Sequence, residues 1–380
     1  MTEDTNRQKP ISPVRLLLKA LGLFLLVNLV FELIFPLPLF GKISIYNVLI
    51  PGRQRLPYSD NPQKAYSISL NNLEAMFASH ELSGRPKPAD EFRVILIGDS
   101  ATWGFLLRNP DTLAGKINAA QARLADGRRV RAYNLGYPVM SLTKDLLLLS
   151  YALKYQPDLI VWPVTLESFP KDKQLFSPLL QNNPEAVKKL LEKNHLPMDL
   201  QAGEWQEVGW FERTIIGARR TLADIFRLQL YGLLWAATGI DQDIPECYQP
   251  RQEDLDADLS FHDLQPDKFK PDDLALDVLE AGVKMAGETP VLIVNEPMFI
   301  SNGKNSDLRY NFYYPRWVYD AYRRLMLNQS KEQGWWYLDL WNLAPASEFT
   351  NSAVHMTPAG TDLFAKRIIE AINQVGLENR

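Results

Sequence analysis

The stretch VILIGDSATWGF, residues 94–105, sets an apolar run directly against Gly98, Asp99 and Ser100. A serine placed where a buried strand reaches the surface becomes a nucleophile only if a base takes its proton and oriented donors hold the oxyanion that follows. The chain offers four histidines. His80 precedes the regular part of the pattern, and His195 and His262 fall in an irregular middle region. His355, in TNSAVHMTPAG, stands two residues before the start of the last helical segment. A loop between a last strand and a last helix lies at the same sheet edge as Ser100, which makes His355 the candidate general base.

For the two residues to meet, the chain between them must build a sheet whose strand ends converge. Strand patterns fall at 92–97, 130–135, 158–164, 290–295 and 335–340, with helical patterns at 113–125, 142–155, 273–286 and 315–333. A last helix, from Pro358 to about Val375, has Thr357 as N-cap, proline in its first turn and Gly376 past its end. This alternation predicts a parallel sheet covered on both faces, with sites at the carboxyl ends of its strands. One interval breaks the rhythm. Residues 170–289 number 120, more than a single crossover needs, and include a helical pattern at 214–240. This insertion packs as a cap over the sheet, or lies along a membrane surface with Arg219, Arg220 and Arg227 toward headgroups.

Composition bounds the other options. With 46% hydrophobic and 23% charged residues the chain has a globular balance, and a net charge of −4 with no basic cluster argues against a nucleic-acid partner. Cys247 is the only cysteine, so an intrachain disulfide and a thiol redox pair are excluded. There is no P-loop, dinucleotide fingerprint, H-E-x-x-H or EF-hand pattern, and no cofactor or metal is expected. Residues 16–40 would make a helix of about 37 Å, enough to cross a hydrocarbon core of about 30 Å if Lys19 and Glu32 snorkel to opposite interfaces. Arg7, Lys9, Arg15 and Lys19 before or within it, against Lys42, Arg53 and Arg55 beyond, favour a cytoplasmic N-terminus with the rest of the chain outside. Residues 41–90, carrying Pro51, Pro57, Pro62, Pro86 and Pro88 and one short helical pattern at 71–80, read as a stalk or lead-in. The expected organisation is a tail at 1–15, a transmembrane helix at 16–40, a lead-in at 41–90 and an α/β domain at 91–376 interrupted at 170–289.

Three blocks carry a family resemblance. GDSATWG at 98–104 resembles the first block of the SGNH (GDSL) hydrolases, NLG at 134–136 resembles the second, and VHMTPAG at 354–360 resembles the last. The resemblance spans residues 90–165 and 288–376. It implies a three-layer flavodoxin-like α/β fold of about five parallel strands, here with a mostly helical insertion and one N-terminal transmembrane helix. It also implies Ser100 as nucleophile, His355 as base, and an oxyanion hole from the backbone amides of Ser100 and Gly136.

Two positions depart from the family pattern. Where the family usually has an aspartate three residues before the histidine, this chain has Ser352, preceded by Asn351. Asn351 could orient the imidazole, Asp339 or Glu348 could reach it, or Ser100 and His355 could act as a dyad. Where the family usually has Gly-x-Asn-Asp after the third strand, this chain has WPVTLESF, and Thr165 is the nearest replacement donor. The altered block, single span and large insertion resemble the membrane-anchored branch of the family, which implies an esterase or O-acyltransferase acting on acylated cell-surface carbohydrate beside a membrane-bound O-acyltransferase. Asn295 and Glu296 at a strand end, and Arg309 in an aromatic-rich segment, are the candidate substrate-binding residues. A different class of function is a non-catalytic carbohydrate-binding or assembly protein on a degenerate scaffold.

Overall fold

The computed structural model describes residues 12–378 apart from 45, 46, 48, 51, 62–66, 69, 207, 250 and 263. Arg7, Lys9, Pro51, Pro62 and most of the tail expected at 1–15 lie outside the described residues. Five strands make one sheet: β1 (Glu91–Leu96), β2 (Arg129–Asn134), β3 (Leu159–Val164), β4 (Val291–Asn295) and β5 (Trp336–Asp339). They run parallel throughout in the order β2-β1-β3-β4-β5. This is the flavodoxin-like order, whose switch point lies between the first and third strands.

The two faces of the sheet follow from strand alternation. Ile95, Tyr133, Ile160, Trp162 and Ile293 point into one core, and Val94, Leu96, Ala132, Val161 and Val294 into the other. Strands buried on both faces read as continuous apolar runs, as β1, β3 and β4 do. The helices Leu142–Ala152 and Leu276–Ala286 cover the first face, and Leu113–Ala119 and Pro358–Glu378 cover the second. The result is a three-layer α/β fold.

Several boundaries moved for local reasons. The helical pattern at 113–125 stops at Ala119, because Gln121 takes a left-handed conformation (φ 48°) and Arg123 then bridges to Arg129. The N-terminal helix runs Pro13–Ile34 and closes at Phe35 (φ 41°) ahead of Pro36, with only a short turn, Leu37–Gly41, where the apolar pattern had continued. It is long and apolar enough to cross a membrane, and only 6% of its most apolar window is buried.

The insertion leaves and returns at one point. Pro170 bridges Leu274, and the Ala275 N–H donates to the Phe169 carbonyl at 2.8 Å. Within it the longest element is Arg219–Thr238, closed by Gly239 in a left-handed conformation. Ile225 and Leu228 join the core on the first face of the sheet.

Candidate active site

Beyond the end of β1 the backbone turns sharply at Gly98 (φ 151°), where an added Cβ would stand 2.4 Å from Thr102 Oγ1. Only glycine fits such a turn. Asp99 then caps the four-residue helix Ser100–Trp103, its carboxylate accepting from the Ala101 N–H at 2.8 Å. Burial raises the Asp99 carboxyl to about 6, opposed by the Lys144 ammonium. Ser100 therefore emerges at the first turn, half-exposed, and its own N–H makes no hydrogen bond among the described residues.

His355 reaches the same edge from the loop after β5. Its Nε2 stands 2.8 Å from Ser100 Oγ, and its Nδ1 stands 2.9 Å from Asn351 Oδ1. An amide oxygen can only accept, so Nδ1 carries the proton and the Nε2 lone pair faces the hydroxyl. The imidazole is 8% exposed and packs 4.9 Å from the Phe105 ring. Burial lowers its pKa to about 4, with no carboxylate beside it to oppose the shift. It is neutral and able to accept a proton at ordinary pH.

The other groups considered for holding His355 are engaged elsewhere. Both ring nitrogens are occupied, so Ser352 holds neither. Asp339 pairs with Arg323 at 2.7 Å and accepts from Asn295 Nδ2 at 2.8 Å. Glu348 accepts from the Thr357 hydroxyl at the start of the last helix.

Two of the three expected oxyanion donors are hydrogen-bonded within the protein. The Gly136 N–H donates to Asn134 Oδ1 at 3.0 Å, and the residue is glycine because a Cβ there would meet the Trp103 backbone nitrogen at 2.5 Å. Thr165 is fully buried, with its hydroxyl 2.9 Å from that of Tyr314. The Ser100 N–H remains.

The residues expected to hold substrate are interior. Asn295 is fully buried, donating to Asp339 and accepting from the Tyr319 hydroxyl at 3.1 Å. The Arg309 guanidinium staples its own segment, donating to the carbonyls of Asn311, Phe312, Tyr313 and Asp258. Glu296 is 2% exposed, and its Oε1 meets no hydrogen-bond donor among the described residues. Burial, then the neighbouring Asp99 and Asp145 carboxylates, push it well above the usual carboxylate range. A strand end fixes where the backbone stops but not which face the side chain takes, which is why position alone did not show that Asn295 and Glu296 turn inward.

Sequence reading missed the residues that brace the site. Lys144, fully buried, donates to the carbonyls of Gly98 and Tyr137 at 2.7 Å each and lies 2.5 Å from Asp145. It ties the turn before Ser100 to the loop after β2. A Lys-Asp pair opening an otherwise apolar helix was the only available signal. Arg55, from the lead-in, is paired with Asp241 of the insertion and donates to the carbonyls of Gly104 and Leu107 at 2.8 and 3.0 Å. Gln242 donates to the same two carbonyls and accepts from the Leu106 N–H. Arg251 donates to the Asn351 carbonyl at 2.9 Å and lies over the Phe312 ring. The insertion thus holds both the loop after Ser100 and the loop before His355. Arg251 and Phe312 also line a polar hollow of about 430 Å³ with Asp254, Asp256 and Asp258.

No family model and no curated protein sequence matches the chain. Among solved structures it is similar to a carbohydrate acetylesterase family member from Sinorhizobium meliloti, at 12% identity over 74% of this chain and 98% of that one, with a TM-score of 0.34. It is also similar to a variant of an acetyl-xylooligosaccharide esterase from Geobacillus Stearmophilus, at 12% identity over 74% and 93%, TM-score 0.34. A variant of a family two carbohydrate esterase from Clostridium thermocellum matches at 10% identity over 76% and 65%, TM-score 0.29. Superpositions this loose carry no activity across to this chain, and the functional reading stands on its own site.

Proposed function

We propose that this chain is a membrane-anchored SGNH-type esterase or O-acyltransferase, acting on acylated carbohydrate through an acyl-Ser100 intermediate. The observation that carries the reading is the 2.8 Å contact between Ser100 Oγ and His355 Nε2, with Nδ1 held by Asn351.

The chemistry follows from that arrangement. Neutral His355 takes the Ser100 proton at Nε2 as Oγ attacks the ester carbonyl carbon. The carbonyl oxygen gains charge in the tetrahedral intermediate and receives the unpaired Ser100 N–H. Collapse breaks the bond to the sugar oxygen, which leaves with the proton from Nε2. A second hydroxyl then attacks the acyl carbon, giving its proton to Nε2; the acyl–Oγ bond breaks and Ser100 Oγ takes that proton back, so water as the attacking group completes hydrolysis and a sugar hydroxyl completes transfer. Asn351 orients the ring and accepts from Nδ1–H throughout, but it adds no negative charge to a buried imidazolium. A carboxylate there would stabilise that cation further.

In this reading the sugar occupies the polar hollow beside Arg251, and the Pro13–Ile34 helix holds the domain on the extracytoplasmic face next to a membrane-bound O-acyltransferase. Incubation with an acetylated oligosaccharide, with and without an unacylated acceptor, tests it. Acetate release that requires Ser100, or acetyl groups appearing on the acceptor, is the expected result; neither product from folded protein contradicts it.

One observation favours a second reading. Of three expected oxyanion donors, only the Ser100 N–H is unbonded among the described residues, as suits a carbohydrate-binding protein on a degenerate scaffold. In that case Ser100→Ala would leave oligosaccharide binding and cellular function intact.

A further inference from the structure

The Arg219–Thr238 helix is apolar on two opposite sides. Ile225, Leu228, Gly232 and Trp235 are buried against the protein. On the opposite side Phe226 (71% exposed), Leu230 (62%), Leu233 and Leu234 face outward, with Ala223 and Ala237 in the same stripe. The segment before it adds Trp210 (67% exposed), Phe211 and Ile216. A cap over the sheet explains only the buried side. Contiguous apolar surface of this kind marks a contact.

What it contacts is indicated by what adjoins it. The Arg213 guanidinium lies 4.9 Å over the ring of Phe35, the residue that closes the apolar N-terminal helix, and Gln229 donates to the Ile43 carbonyl at 3.2 Å. Leu39, Phe40 and Ile43, between those two contacts, are exposed. The outward apolar stripe therefore continues the surface at which Pro13–Ile34 would leave a bilayer. Arg219, Arg220 and Arg227 are exposed at the start and flank of the stripe, with Arg227 also 3.2 Å from the Tyr231 hydroxyl. Apolar residues flanked by arginine and aromatic side chains suit the boundary between headgroups and acyl chains.

We propose that Arg219–Thr238 docks lengthwise on the bilayer that Pro13–Ile34 spans, its outward stripe in the headgroup–acyl boundary. This rests on the reading of Pro13–Ile34 as a membrane span. The consequence reaches the site, because Asp241 and Gln242, just beyond the helix, hold the loop that follows Ser100. Docking sets the height of the Ser100 edge above the membrane.

The test uses the full chain in nanodiscs of phosphatidylcholine and phosphatidylglycerol, with the exposed Cys247 changed to serine and single cysteines introduced for a fluorescent probe. Three positions suffice: Leu230→Cys in the stripe, Leu23→Cys within the N-terminal helix, and Leu363→Cys on the helix covering the other face of the sheet. Docking predicts that a quencher in the upper acyl chains lowers the emission at 230 by roughly half and leaves that at 363 unchanged, while a deep quencher acts at 23. Quenching at 23 without quenching at 230 overturns docking and leaves the anchor standing. No quenching at 23 overturns the anchor itself. A probe at 230 shielded from both lipid and aqueous iodide means a second copy covers the stripe, which also overturns docking.

Discussion

Two buried histidines stand in contrasting surroundings, His80 in a structural region and His355 in the region that the proposed function makes reactive. His80, fully buried, accepts from the Leu82 N–H at Nδ1 and contacts the Asn134 carbonyl at Nε2. His355 is almost as buried, yet its partners are an asparagine side chain and a serine hydroxyl. Burial lowers both to about 4. The depressed pKa is thus common to both and cannot be what makes a base. The difference lies in what the second nitrogen meets: a backbone carbonyl, which has no proton to give, or a hydroxyl, which has.

The largest effect that would break this contrast is at the serine. Ser100→Ala is expected to lower turnover of an aryl acetate by roughly 10⁴-fold or more with unchanged folding, measured by steady-state kinetics and circular dichroism. Next comes the structural partner. His80→Leu leaves the Leu82 N–H and the Asn134 carbonyl without their bonds, costing on the order of 3 kcal/mol in denaturant unfolding, while turnover per folded molecule stays unchanged. Because the His80 pKa is lowered on folding, its pH-linked contribution is fully present above about 6.5 and is lost as pH falls toward about 4, so the variant should reduce the slope of stability across that window and leave the share that His355 contributes.

The smallest effect sharpens the comparison within the reactive region. The active form of His355 is neutral, so the rate should hold on lowering pH and fall only as pH drops through about 4. Asn351→Asp places a carboxylate at Nδ1, favours the imidazolium, and should move that acid limb upward by about 1–3 units in a pH–rate profile. No movement would mean that Asn351 does not govern the ring.

The parts of this site legible in the sequence were those written locally. Gly98-Asp99-Ser100 after an apolar run, and His355 just before Thr357-Pro358, each combine a strand end with a helix start. The alternation of strands and helices supplied the geometry that brings them together. Three kinds of information were not decided by local sequence. The brace of Arg55, Asp241 and Gln242 joins residues far apart in the chain, and Arg251 meets Asn351 across 100 positions. Side-chain facing at the ends of β3 and β4 sent Thr165 and Asn295 inward, where sequence position alone had left them available. The outward stripe on Arg219–Thr238 was visible as apolar residues, but which of two apolar sides faces the core is decided only by packing.

The central claim, that Ser100 is a nucleophile activated by His355, is tested most directly by covalent trapping. Folded full-length protein at neutral pH is treated with a fluorophosphonate and read by intact mass and peptide mapping, beside a His355→Ala variant. One adduct is expected, on Ser100, formed at least about 10²-fold more slowly in the variant. No adduct on Ser100, or the same rate with and without His355, would contradict it.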